Sequence, residues 1–281
     1  MAEQVADAPL VDAHVHVFRS DMPLMADAWT RPDYAFTTQG LIGTLDEHGV
    51  RHAVISGLSI AGTYNDYTIA AVRAHKRLRG TVIVDPAVAP DALRQMRDEG
   101  IVGMRLQLAR LGTLPDFRSD AYRLLLRRAR DLDWHVHIAI EGPRLPPVLD
   151  ALMASGIKIV VDHFGHPDPA DPFCCAGYRA MLAGVESGRL WIKLAAGFRL
   201  PGTDAWRDDP HGDLDTLANR IAADLLARVG PERLLWGSDA PFVGYERSMS
   251  YGRVLASYRH WVPQAAVRAE IDRTAMSLYF D

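Results

Sequence analysis

His14 and His16, in the stretch VDAHVHVF from Val11 to Phe18, are the first residues of this 281-residue chain whose types and spacing could do chemistry. Side chains two apart in an extended strand share a side, so the spacing predicts that both imidazoles project together, with Val11, Ala13, Val15 and Val17 on the other side. Paired neutral imidazoles suit a metal ion, proton transfer or the polarisation of a carbonyl; they equally suit two core histidines tied up by hydrogen bonds. Two later stretches add polar groups where apolar runs end. VVDHFGHPD places Asp162 and His163 after a β-branched run, and LLWGSDAPF places Asp239 just before Pro241. Asp162 also fits a turn cap, and Asp239 a cap on the segment after it.

The elements that must position these groups follow from hydrophobic patterning. Short β-branched runs alternate with amphipathic stretches: LVDAHVHVF, HAVISGLS, GTVIVDP, IVGMRLQL, WHVHIAI, IKIVVDHF, LWIKLAA and RLLWGSD read as strands. Helical segments fall between them near 65–78, 91–99, 120–131, 145–155, 176–188 and 214–229. Glycines in DEHGVRH, MASGIKI and VGPERLLW stop helices just before strands. Eight strands in this order, with no glycine-rich dinucleotide turn after the first, predict an α/β chain folded as one (β/α)8 TIM barrel over 1–281 rather than a doubly wound open sheet. Longer irregular segments at 19–37, 164–175, 196–213 and 239–250 each follow a strand, on the face where such barrels place their chemistry. His14, His16, His163 and Asp239 are therefore expected at one end of one barrel.

Composition narrows the partners. With 31 basic against 35 acidic residues and a formal charge of -4, the chain has no broad basic field for nucleic acid and no polybasic tail for a membrane. An anion site would have to be local. No basic leader followed by an apolar run and no membrane-length apolar stretch is evident, and Cys174 and Cys175 are adjacent, a poor start for a disulfide or a metal site. The expectation is a soluble protein of a reducing, cytoplasmic compartment. The sequence does not speak to oligomeric state.

DAHVH, VDHFGHPD and LLWGSDAPF, in this order and at barrel spacing, resemble the amidohydrolase superfamily, its amidohydrolase-2 branch, and within it the lactonases of the 2-pyrone-4,6-dicarboxylate, sugar-acid and muconolactone types. The resemblance spans nearly the whole chain. It implies hydrolysis of a small anionic lactone, with Asp239 taking a proton from water while His14, His16 and His163 polarise the carbonyl. It also implies substrate contacts from Arg105, Arg110, Arg199, Ser59 and Tyr34. Arg110 falls one position short of the matching arginine, and His166 stands where the relatives carry arginine. Ala139 replaces a substrate tyrosine on the strand WHVHIAI, where His135 and His137 form a further pair, read as a polar strand face open to the pocket. These departures point to an acid with one carboxylate fewer or a bulkier apolar side.

The resemblance leaves the metal open. The lactonases keep the same histidines and aspartate yet need no metal, so no cofactor is expected; the alternative is one divalent cation, zinc or manganese, on His14, His16, His163 and Asp239. Binuclear relatives use a lysine from a mid-barrel strand, but here strand five ends at Glu141 and Lys193 sits within strand seven. The rivals are a metal-dependent nonoxidative decarboxylase, a lactone isomerase, and a barrel that only binds an organic acid. His48, His52, His75, His211 and His260 have no partner legible in the sequence.

Overall fold

A computed structural model describes residues 8–200 and 217–281. Eight parallel strands follow one another around a barrel in chain order: β1 (Val11–Val15), β2 (His52–Ile55), β3 (Leu78–Val82), β4 (Ile101–Gln107), β5 (His135–Ala139), β6 (Lys158–Val161), β7 (Leu190–Ala195) and β8 (Leu234–Gly237). Helices α1 (Thr38–His48), α2 (Asp66–Ala74), α3 (Pro90–Asp98), α4 (Asp120–Asp131), α5 (Leu145–Ser155), α6 (Ala176–Val185) and α7 (Leu217–Val229) alternate with them, and α8 (Tyr251–Trp261) and α9 (Ala265–Tyr279) follow β8. The chain is a (β/α)8 TIM barrel. None of the described helices is long and apolar enough to cross a membrane. Cys174 and Cys175 are free thiols.

The expected helix stops are present at Gly49 and Gly156, with φ of 74° and 78°. The periodicity over 65–78 overshoots. The chain leaves α2 at His75 because Leu78 already pairs with Ala53 of β2, which places β3 two residues earlier than its apolar run suggests. The expected segments 201–213, the start of the helix expected from 214, and His211 lie outside the described residues.

Strict alternation fails in β1, where the register to β2 shifts between Asp12 and Val15. Val11 and Ala13 pack with Val54, Val160, Leu235 and Tyr279, whereas Val15 and Val17 join the larger core against the helices. Val54, Val102, Val160 and Leu235 come from the even strands and meet across the barrel axis, one of the layers that fill such barrels. The seam from β8 back to β1 is closed by backbone hydrogen bonds and one buried carboxylate. Asp239 N donates to His14 O (2.8 Å), His16 N to Ala240 O (2.8 Å), and the buried Asp12 carboxylate accepts from His14 N, Ser238 N and Tyr251 Oη. Gly237 makes the close approach feasible, since a Cβ there would lie 2.5 Å from His14 Cβ.

Candidate active site

His14, His16, His163 and Asp239 converge at the C-terminal end of the barrel. Asp239 Oδ1 lies 3.5 Å from His14 Nε2 and 3.4 Å from His16 Nε2, and its Oδ2 accepts from Arg199 Nε at 2.6 Å. The backbone there is unusual: His163, Phe164, His166, Ala196 and Asp239 all have positive φ without being glycine. Such conformations cost roughly 1–3 kcal/mol each and persist where the surroundings fix them, as active sites do. Burial alone would raise the Asp239 carboxyl, but the Arg199 guanidinium beside it pulls it well below the usual carboxylate range, so it is ionised.

Beneath this floor lies a buried polar layer that sequence reading did not assign. Lys193 Nζ sits 3.1 Å from His14 Nδ1, 3.0 Å from His137 Nδ1 and 3.1 Å from Asp162 Oδ1. Burial lowers the ammonium from 10.5 to about 8, leaving it charged at neutral pH. An ammonium has three hydrogens to donate and nothing to accept with, and three acceptors surround it. Donation into His14 Nδ1 would leave that ring's proton on Nε2, facing Asp239, whereas a hydrogen on Nδ1 would point to Asp162 Oδ1 at 3.4 Å and leave Nε2 bare. Burial, then the Lys193 charge, holds the His14 pKa down to about 3, so the ring stays neutral. His16 has the opposite tautomer: its Nδ1 lies 3.0 Å from the Ser56 carbonyl and must carry the hydrogen, which leaves Nε2 as an acceptor. Asp162, legible only as a turn cap, joins Lys193 to Arg105, whose Nε donates to Oδ2 at 3.0 Å. The available signal was that Lys193 is one of only three lysines and lies inside an apolar strand.

The other expected residues divide. Arg105, Arg110, Arg199, Ser59 and His166 line the cavity with His16, His163 and Asp239. Arg105 also donates to the Gly57 carbonyl, and Ser59 Oγ accepts from Trp29 Nε1. Arg110 lies 4.2 Å above the Trp29 ring. Burial holds His166 down to about 4, so it offers a neutral ring where an arginine would offer charge. Tyr34 is not among the lining residues; its hydroxyl donates to Glu246. His135 and His137 do not open into the cavity as expected. They stack below it, and His137 Nε2 meets Tyr279 Oη from α9 (3.4 Å); Ala139 is the β5 residue that reaches the cavity. His48 and His52 pack on Tyr251 and Phe280, away from the site. Trp29 and Gln107 also line the cavity and had no signal in the strand-end pattern.

Comparison with known proteins decides the family. Residues 11–279 match the amidohydrolase family. The chain belongs to that family. It is thereby a hydrolase, and its relatives include lactone hydrolases. It is 24% identical to a 4-sulfomuconolactone hydrolase of Rhizobium radiobacter over 92% of this chain and 86% of the relative. A structure from Acinetobacter baumannii, provisionally assigned as a 2-pyrone-4,6-dicarboxylic acid hydrolase and carrying citric acid, superposes with a TM-score of 0.88 at 27% identity, over 96% of this chain and 99% of the other. A Pseudomonas putida structure with the same provisional assignment gives 0.86 at 30% identity, covering 97% of each chain. Two more distant structures share the fold: an amidohydrolase from Burkholderia multivorans with zinc (20% identity, TM-score 0.78) and a dihydroxybenzoic acid decarboxylase from Polaromonas with manganese (16%, TM-score 0.64).

The donor set here could hold a metal. Ligand atoms of His14, His16 and Asp239 lie within 4.8 Å of one another, as do those of His14, Asp162 and His163, so three of the four expected ligands form one trio and the fourth, His163, groups with His14 and the unanticipated Asp162. His14 Nε2 is buried without a hydrogen-bond partner, which fits a cation by position. In the tautomer that accepts from Lys193, the proton on that nitrogen would have to depart first. Metal-bound histidines normally give their second nitrogen's hydrogen to a carboxylate or carbonyl. His16 follows that pattern, and His14 Nδ1 faces both the Asp162 carboxylate (3.4 Å) and the Lys193 ammonium (3.1 Å).

Proposed function

We propose that this chain opens the ring ester of a small carboxylated lactone by adding water. The observation that carries the reading is the ionised Asp239 carboxylate, with His14 Nε2 and His16 Nε2 at 3.5 and 3.4 Å from its Oδ1, beside a cavity bordered by three arginines; with a proton on the first nitrogen and none on the second, the pair supplies a donor and an acceptor. A water against Asp239 Oδ1 and His16 Nε2 would donate one hydrogen to each, which aims an oxygen lone pair at the substrate and gives its proton somewhere to go. The His14 N–H and the neighbouring His163 would hold the carbonyl oxygen as negative charge grows on it. Collapse of the tetrahedral adduct breaks the ring carbon–oxygen bond, and the proton taken from water returns to the departing alkoxide. On this reading His16 stands on the water side rather than polarising the carbonyl. Arg105, Arg110 and His166 line the side on which a substrate carboxylate would be held, and the lactone hydrolases among the relatives support that class of substrate.

With His14 in the tautomer that accepts from Lys193, the proposed reaction requires no resident metal. The trio of His14, His16 and Asp239 favours a second reading, in which they hold one divalent cation. A bound cation would lower the pKa of its water and polarise the carbonyl. The test is ring opening of a lactone panel by purified protein, with carbon dioxide release and total lactone followed in parallel. Ring opening supports the hydrolase. Carbon dioxide release would move the assignment to a decarboxylase, and lactone conserved with a changed ring size to an isomerase.

A further inference from the structure

Beyond the cavity that contains Asp239, the barrel mouth continues into a groove between the segment after β1 and the segment after β4. Trp29, Ser59, Gln107, Ala109 and Arg110 border both spaces, so the two are continuous. The large hydrophobic side chains most exposed among the described residues are Met25 (42%), Trp29 (42%) and Leu111 (41%), and all three line this groove. Isolated exposed apolar residues need no explanation, but three gathered at the entrance to a catalytic cavity do. The groove is also held in shape. Met25 N donates to the Ile60 carbonyl (2.9 Å), Trp29 Nε1 to Ser59 Oγ (3.2 Å), and Arg31 to the carbonyls of Met25 and Ala26 (2.8 and 3.1 Å). Arg110, lying over Trp29, puts a cation at the junction between groove and cavity.

We propose that this groove is a subsite for an apolar, ring-sized substituent of an anionic substrate, with the acid group held at the arginines and the substituent lying along Met25, Trp29 and Leu111. The proposal rests on the cavity being the substrate site and extends the lactone reading to aryl- or long-alkyl-substituted acids.

The test is calorimetric binding of 4-phenylbutanoate and of butanoate to the whole protein. Burying a phenyl ring should make the first acid bind about tenfold tighter or more. The double variant Met25→Ser/Leu111→Ser, which leaves the catalytic cavity intact, should remove most of that preference and keep butanoate affinity, and Trp29→Ala should remove it as well. Equal affinity for the two acids, no binding of phenylbutanoate, or a preference untouched by both variants would overturn the subsite. A dimer in solution that Met25→Ser/Leu111→Ser dissociates, without any phenyl preference, would give the groove to a second copy of the chain and overturn it too. Because binding requires no turnover, a phenyl preference without ring opening would count against the lactonase alone.

Discussion

At Asp239, two cations and two imidazoles decide what one carboxylate can do. Arg199 on Oδ2 keeps it ionised, so its protonation should not limit activity in mild acid. Arg199→Met should let its pKa climb toward the raised value that burial alone favours, and an acid limb should then appear in the rate profile, with kcat falling as pH drops through it. A profile unchanged on the acid side would break the link between the two residues. Asp239→Asn should lower kcat by about 10²–10⁴ while leaving substrate binding nearly intact, which single-turnover and binding measurements can separate. Lys193 sets the opposite limb: with its pKa near 8, its charge is present below that value and lost above it, so activity should decline as pH rises through about 8. Lys193→Met should flatten that limb at a low rate and release the His14 proton from Nε2, which nitrogen NMR of the ring reads directly. His14 and Asp239 were legible because a polar residue ending an apolar run stands out. Lys193 was visible as a rare lysine, but nothing local revealed that three acceptors from three other strands converge on it.

At the level of elements, the seam between β8 and β1 positions the site. His14 and Asp239 are joined through their backbones there, and Gly237 lets the strands approach where any side chain would strike His14. Gly237→Ala should cost about 1–3 kcal/mol by overpacking and displace His14, seen as a lower denaturation midpoint together with lost turnover. Full stability and activity would show that the seam yields without consequence. Strand order and most helix limits could be read from periodicity and from glycine and proline punctuation, and α4 and α5 fall where expected. The register shift in β1 could not be read, because a bulge leaves the residue types unchanged while altering where they point. The final helices were not anticipated either: α9 buries Arg268, Ile271, Ala275 and Tyr279, a face too mixed to stand out as an apolar stripe.

Across the whole molecule, the barrel separates its ends by chemistry. One end is sealed by α9, whose Tyr279 reaches His137; the other carries the four strand-end groups and the arginines. Net charge near neutrality leaves these arginines as the local attraction for an acid. The topology placed His14, His16, His163 and Asp239 together, as strand order required, whereas the partners of Arg199 and the absence of Tyr34 from the cavity depended on side-chain packing that no linear pattern encodes. The measurement that tests the account most directly is the ring-opening rate of carboxylated lactones before and after chelation, with metal content determined on the same samples. Hydrolysis that persists at full rate in metal-free protein and is lost in Asp239→Asn is the predicted result. Activity that appears only with one stoichiometric divalent ion would contradict it and make His14, His16 and Asp239 a ligand set.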